Sequence, residues 1–255
     1  DQMGNMYTED QNKILQYMNY DMASVYRVGR CLLQADQLPH ELAEECLIKE
    51  NAESSILIWG DSYAASMFDG LRQHGVGAAQ LTATRCPPVM GVEYARDSCL
   101  TINEVFLRKI ADIKPQTVVL GAAWFSYEDE GGFGGLSRTL KEISQVSAGT
   151  RIVVVGSFPH YSPDLPTRLV RMKAKLEYDR SVDVSDYARF RMVDERLRLV
   201  ALEHGALFFS IFDAVCFEGA CPAIFSGSSR KRGIWTWDYG HLTSEGSWLL
   251  AEKIL

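Results

Sequence analysis

The feature that most limits the fold of this chain is an apolar run that ends in an abrupt turn. Ile56-Leu57-Ile58-Trp59 stops on Gly60-Asp61-Ser62 and passes at once into Tyr63-Ala64-Ala65-Ser66-Met67-Phe68. A buried strand that turns directly into a helix sets the serine hydroxyl at the carboxyl end of a sheet, where open α/β folds do their chemistry. The same serine stands at a helix N-terminus, whose free N–H groups and positive dipole end favour developing negative charge.

The pattern repeats along the chain. Strands are expected at 55–59, 78–82, 117–122, 151–156 and 207–212, alternating with helices near 63–74, 101–112, 134–146, 187–204 and 244–254. Thr117-Val118-Val119-Leu120 and Ile152-Val153-Val154-Val155 are continuous apolar, largely β-branched runs, as suits parallel strands buried on both faces. Alternation at this period predicts an α/β fold with a doubly wound parallel sheet. Thr101-Ile102-Asn103-Glu104 has capping-box spacing, and Pro115 punctuates the end of the helix that follows it. The stretch 159–186 breaks the rhythm with three prolines and the basic residues Arg168, Arg171, Lys173 and Lys175, and reads as a solvated surface excursion in preference to the alternative, an active-site flap.

Residues 1–53 have no run resembling a central strand, and are expected to be a linker packed on the domain formed by 54–255. Ile14, Leu15 and Met18 fall on one helical face of that linker. With net charge −7 and no basic run, a nucleic-acid partner or an anionic membrane surface is disfavoured. No segment approaches the roughly 20 apolar residues of a membrane span, and the start at Asp1 reads as that of a fragment excised from a larger protein, with a membrane-bound parent left open.

The six cysteines group as Cys31 with Cys46, Cys86 with Cys99 and Cys216 with Cys221. None has Cys-x-x-Cys spacing and no histidine flanks them, so neither a metal nor a cofactor is called for. Six cysteines allow 15 pairings. Sequential pairing closes short loops at low entropic cost, and disulfides imply an oxidising compartment. Six buried thiols in a cytosolic protein are the alternative.

A serine needs a neighbouring base to attack at neutral pH, and that base needs its other nitrogen held by an acceptor. Asp238-Tyr239-Gly240-His241-Leu242-Thr243 supplies both, since one tight turn can face Asp238 and His241 the same way. Ser62, His241 and Asp238 are therefore the catalytic candidates, with Thr243 or Ser244 capping the last helix. Read alone, Gly-Asp-Ser is ordinary helix-capping chemistry and Asp-x-x-His is an ordinary surface turn.

Together these blocks resemble the first and last blocks of SGNH (GDSL-like) hydrolases. Further likeness lies in Cys31-Leu32-Leu33, Cys46-Leu47, Gln80 to Pro88 around Cys86-Pro87-Pro88, Cys99 with Asn103, Val118-Val119-Leu120 with Trp124, and Cys216 with Cys221. It is similar to the periplasmic SGNH domain carried behind the membrane domain of acyltransferase family 3 proteins, which O-acetylate bacterial surface glycans. The resemblance implies a flavodoxin-like three-layer α/β/α sandwich on a parallel five-stranded sheet. It also implies a location at the periplasmic face of the inner membrane and a membrane acyltransferase partner as acyl donor. The implied reaction is O-acetyl transfer through an acyl-serine to a glycan such as lipopolysaccharide O-antigen. An O-acetyl esterase of the same fold, or a weakly catalytic glycan-binding module, is the alternative.

Two positions depart from the family pattern. Where the family carries Gly-x-Asn-Asp after the third strand, this chain reads Gly121-Ala122-Ala123-Trp124, and the second-block glycine is replaced in Thr84-Arg85-Cys86. The oxyanion donors expected are therefore the backbone N–H groups of Ser62 and Arg85, with the Trp124 indole N–H as a substitute for the asparagine. Trp235 and Trp237 are candidates for stacking on sugar rings, and His160 for touching substrate from the loop after the fourth strand.

Overall fold

The computed structural model describes residues 7–47, 55–93, 98–128, 132–225 and 232–255. The expected 53/54 boundary, and Met3 and Met6 of the linker, lie outside the described residues. In chain order the elements are α1 (Glu9–Gln16), α2 (Met22–Val25), β1 (Leu32–Leu33), β2 (Ser55–Gly60), α3 (Ser62–Gln73), β3 (Gly77–Ala83), α4 (Cys99–Ile113), β4 (Thr117–Gly121), α5 (Gly132–Val146), β5 (Arg151–Val155), α6 (Leu165–Arg171), β6 (Arg180–Asp183), α7 (Tyr187–Glu203), β7 (Leu207–Phe209), α8 (Ile211–Val215), β8 (Ala220–Phe225), β9 (Gly233–Ile234) and α9 (Ser244–Ile254).

The main sheet has the order β1-β3-β2-β4-β5-β7, and every neighbouring pair is parallel. Helices α3 and α9 pack together on one face, and α4, α5 and α7 form a row on the other. The result is an α/β/α sandwich whose central strands β2, β4 and β5 bury Leu57, Ile58, Trp59, Val118, Val119, Leu120 and Val154. Close packing of α3 on α9 depends on Gly70, where an added Cβ would lie 2.0 Å from the Ser247 carbonyl oxygen.

The expected five strands are present, and the sheet has a sixth. Leu32 and Leu33 of the N-terminal segment pair with Thr82 and Ala83 and extend the edge beyond β3. Leu33 and Ile14 are both fully buried in the main core, whereas Met18 is half exposed. The expected strand at 207–212 stops at Phe209, because the Ser210 hydroxyl accepts from the Asp213 N–H and starts α8. Helix α4 begins at Cys99, so Thr101 lies inside it and makes no capping box.

The excursion at 159–186 is more ordered than its sequence implies. Leu165 and Leu169 of α6 are fully buried, and α6 packs against α1. β6 joins β8 and β9 in a second, antiparallel three-stranded sheet. The basic residues Arg171, Lys173 and Lys175 are exposed, as expected. All six cysteines form disulfides, Cys31–Cys46, Cys86–Cys99 and Cys216–Cys221. Asn103 braces the second of these loops: it accepts from Trp59 Nε1 at 3.0 Å and donates to the Pro87 and Val89 carbonyls at 2.8 and 3.0 Å.

Asp194 of α7 binds the carboxyl edge of the sheet from the other face. It accepts from Ser157 N–H at 2.6 Å and from the Ser210 hydroxyl at 3.3 Å. Burial pushes its carboxyl from near 3.8 up to about 6, against the opposing pull of those donors. A raised folded-state value means that the folded chain holds this proton more tightly than the unfolded chain does. The stabilisation is present below about pH 4 and is lost as pH rises through about 6. Between pH 4 and pH 7 wild type should therefore lose about 2 kcal/mol relative to Asp194→Asn. Parallel denaturant titrations at the two pH values check this, and equal pH dependence in both proteins would contradict it.

Candidate active site

Gly60 closes β2 with a backbone that only glycine can take there, since an added Cβ would sit 1.8 Å from the Gly121 carbonyl oxygen at the end of β4. The chain then reverses through Asp61, the N-cap of α3, whose Oδ1 accepts from Tyr63 N–H at 2.8 Å. Asp61 Oδ2 accepts from Ala123 N–H and from the Tyr127 hydroxyl, both at 2.9 Å. One carboxylate thus ties the β2–α3 turn to the loop leaving β4. Burial raises its proton affinity, opposed by these three donors. Ser62 follows as the first residue of α3.

The opposing wall is a tight hairpin. Trp237 N–H donates to the His241 carbonyl at 3.1 Å and Thr243 N–H to the Trp235 carbonyl at 3.1 Å, so Asp238, Tyr239 and Gly240 form its tip. The tip is fastened to the 159–186 excursion, because Tyr161 and Leu165 donate their N–H groups to the Tyr239 and Asp238 carbonyls. Thr243 then caps α9, accepting from Gly246 N–H at 2.9 Å.

The structure brings Ser62, His241 and Asp238 into one chain of hydrogen bonds. Ser62 Oγ lies 2.9 Å from His241 Nε2, and His241 Nδ1 lies 2.8 Å from Asp238 Oδ2. Asp238 Oδ1 accepts from the Gly240 and His241 N–H groups at 2.9 and 2.8 Å, which fixes the carboxylate in place. An ionised carboxylate only accepts, so Nδ1 carries the proton and Nε2 presents its lone pair to the serine hydroxyl. His241 is 9% exposed, with the Tyr63 ring centroid 4.3 Å away.

Beside this chain lies a cavity of about 260 Å³ lined by Ser62, His241, Ala123 and Arg85, with aromatic walls from Phe125, Tyr127 and Tyr239. Arg85 has φ +56°, the left-handed conformation that a glycine takes without strain. The aromatic walls were missed in the sequence. Tyr239 lies inside the Asp-x-x-His motif, and Phe125 and Tyr127 follow a strand whose carboxyl end faces the site, so position alone was the available signal.

Other expected roles are not supported. The Trp124 indole donates to the Val155 carbonyl at 2.8 Å and is 2% exposed, so its N–H is committed to the core and cannot meet an oxyanion. Ala123 offers no side-chain donor, and its N–H is committed to Asp61. Trp235 is fully buried and cannot stack on a sugar. Trp237 is stacked against both Tyr20 and His241 and does not line the cavity. His160 is half-buried behind Phe125 and Tyr239 rather than on the cavity wall, and burial lowers its proton affinity.

A family model described as the SGNH domain fused to AT3 domains matches residues 30–255. The chain belongs to this family. The periplasmic domain of the lipopolysaccharide acetyltransferase of Salmonella ser. Paratyphi A superposes on this SGNH domain with a TM-score of 0.74 and 25% identity, covering 97% of this chain and 96% of that one. Est24, a carbohydrate acetylesterase from Sinorhizobium meliloti, matches at 12% identity and a TM-score of 0.47, over 79% of this chain and 98% of its own. No curated protein sequence matches. Among the described residues no helix is long and apolar enough to cross a membrane.

If the Trp124 N–H served the reaction, removing it would cost roughly 10²–10³ in turnover. Because it serves Val155 instead, Trp124→Phe should cost about 1–3 kcal/mol of stability by leaving a buried carbonyl unpaired, with kcat changed less than about threefold. Thermal unfolding and ester turnover, measured side by side, check the assignment.

Proposed function

We propose that this SGNH domain is a serine-dependent O-acyltransferase that passes an acetyl group through an acyl-Ser62 to a hydroxyl of a bacterial surface glycan such as lipopolysaccharide O-antigen. The observation that carries the reading is the unbroken hydrogen-bonded chain Ser62–His241–Asp238 beside an open cavity. Membership of a family fused to AT3 domains and the 25% identical lipopolysaccharide acetyltransferase domain support the substrate class.

In the first half-reaction His241 Nε2 takes the Ser62 proton as Oγ attacks the acetyl carbonyl. The tetrahedral oxyanion then collapses, the donor oxygen leaves with the proton from His241, and acetyl-Ser62 remains. In the second half a sugar hydroxyl gives its proton to Nε2 and attacks the acyl carbon, and Ser62 Oγ recovers the proton as it leaves. Asp238 holds the imidazole tautomer and stabilises the imidazolium formed in each half. The N-terminus of α3, with the N–H groups of Ser62 and Arg85, receives the oxyanion in place of the asparagine absent at Ala123. The acyl donor in this scheme is the membrane AT3 domain, with residues 1–53 joining it to a catalytic domain at 54–255. The domain then works at the periplasmic face of the inner membrane, where the three disulfides are stable.

Hydrolysis is the second reading, because the cavity is open and water can replace the sugar at the same acyl-serine. An activated acetyl ester such as p-nitrophenyl acetate distinguishes these cases. Wild type should release nitrophenol and carry one acetyl on Ser62 by mass spectrometry, and Ser62→Ala should lose at least roughly 10³-fold in kcat/KM. Acceleration by added O-antigen, with acetylated glycan as product, marks transfer, and acetate alone marks an esterase. Undiminished turnover by Ser62→Ala would remove the acyl-serine, and with it both enzymes.

A further inference from the structure

The aromatic residues of the N-terminal segment reach the catalytic histidine. Tyr26 is fully buried and donates its hydroxyl hydrogen to the Leu242 carbonyl, directly after His241, while accepting from Trp237 Nε1 at 2.9 Å. Tyr20 accepts from Ser244 N–H at 2.6 Å, at the first residue of α9. The Trp237 ring is stacked at 5.9 Å on Tyr20 and at 5.9 Å on His241, with interplanar angles of 14° and 22°. Backbone and ring thus connect to the same point, since Trp237 N–H also donates to the His241 carbonyl.

Tyr26 is itself held by the sheet. Gln80 of β3 donates to the Tyr26 carbonyl at 3.0 Å and to the Thr82 hydroxyl at 2.8 Å, and accepts from Arg27 Nε at 3.0 Å. The disulfide Cys31–Cys46 and the pairing of β1 with β3 hold the chain just beyond it. The hydroxyl therefore works as a fixed post between two elements: its donor is spent on the hairpin backbone and its acceptor on the ring beside His241.

We propose that Tyr26 and Tyr20 are positioning residues for His241, so that the segment ahead of the catalytic domain sets the geometry of the Ser62–His241 hydrogen bond. Both tyrosines precede residues 30–255, the part that the family model matches. The proposal rests on the acyl-Ser62 reading. Its physical basis is the steep dependence of proton transfer on placement, where about 1 Å of misplacement costs about 10²-fold in rate. It also gives the segment a second role, because a displacement of Tyr26 alters the base without touching substrate.

The test uses the 255-residue chain with Tyr26→Phe and Tyr20→Phe, which keep the rings and remove only the hydroxyls. Kinetics with p-nitrophenyl acetate, well below each variant's Tm, are paired with the downfield proton resonance of the His241 Nδ1–H bonded to Asp238. Tyr26→Phe should lower kcat about ten- to a hundredfold with KM within about twofold, and should shift or broaden the resonance. Tyr20→Phe should do the same to a lesser degree. A folded Tyr26→Phe with wild-type kcat and an unchanged resonance overturns the proposal. If Tyr26→Phe fails to fold, Tyr20→Phe decides, with wild-type kcat and resonance again overturning it. The resonance is also read in a Ser62→Ala background, where no turnover is needed. Activity retained by Ser62→Ala refutes the acyl-serine reading, whereas an unmoved resonance in that background refutes the coupling alone.

Discussion

The close approach of Gly60 to Gly121 is the constraint on which the site depends. With a Cβ at position 60 excluded by 1.8 Å to a carbonyl oxygen, β2 and β4 can end side by side and the chain can reverse within one residue. That reversal puts Asp61 within reach of the loop leaving β4 and Ser62 at the start of α3. Moving the two strand ends apart would separate Asp61 from the Ala123 N–H and turn the serine away from the hairpin. The placement of Asp61 and Ser62 therefore derives from backbone packing at one sheet edge.

The parts of this arrangement that were legible in the sequence are those set by local pattern. Continuous apolar runs gave away β2, β4 and β5, and the two short motifs pointed to Ser62, Asp238 and His241 because turn geometry alone brings the last two together. β1 was not legible, since Leu32-Leu33 is too short to show a period and is a strand only because the β3 edge is there to receive it. The small second sheet was hidden for the same reason, with Pro222 interrupting the pattern of β8. The end of β7 was readable in principle: Ser210-x-x-Asp213 is a helix start, but the apolar run through Phe212 concealed it. The aromatic residues were the hardest. Trp124, Trp235 and Trp237 look alike in sequence, and only tertiary neighbours decide that the first two are core and the third stacks beside His241.

The substitution at Ala123 changes more than a missing donor. In this structure the N–H at that position is directed to Asp61, so neither the side chain nor the backbone of residue 123 can receive negative charge. On the opposite side of the cavity Arg85 takes the left-handed conformation that a glycine adopts without strain. Holding a non-glycine residue there costs on the order of 1–2 kcal/mol, next to the Cys86–Cys99 disulfide and the Asn103 hydrogen bonds to Pro87 and Val89.

Two carboxylates stand close to the imidazole, and their environments assign them different work. Asp61 spends its oxygens on Tyr63 N–H, Ala123 N–H and the Tyr127 hydroxyl, and makes no hydrogen bond to His241. It is buried, and burial raises its proton affinity. A carboxyl in that state braces the turn whichever way the histidine is oriented. Asp238 is anchored by two amides on one oxygen and keeps the other for Nδ1. The aspartate of Gly-Asp-Ser is thus a structural tie, and the one in Asp-x-x-His is the partner of His241. The distinction follows from which donors each carboxylate has already met.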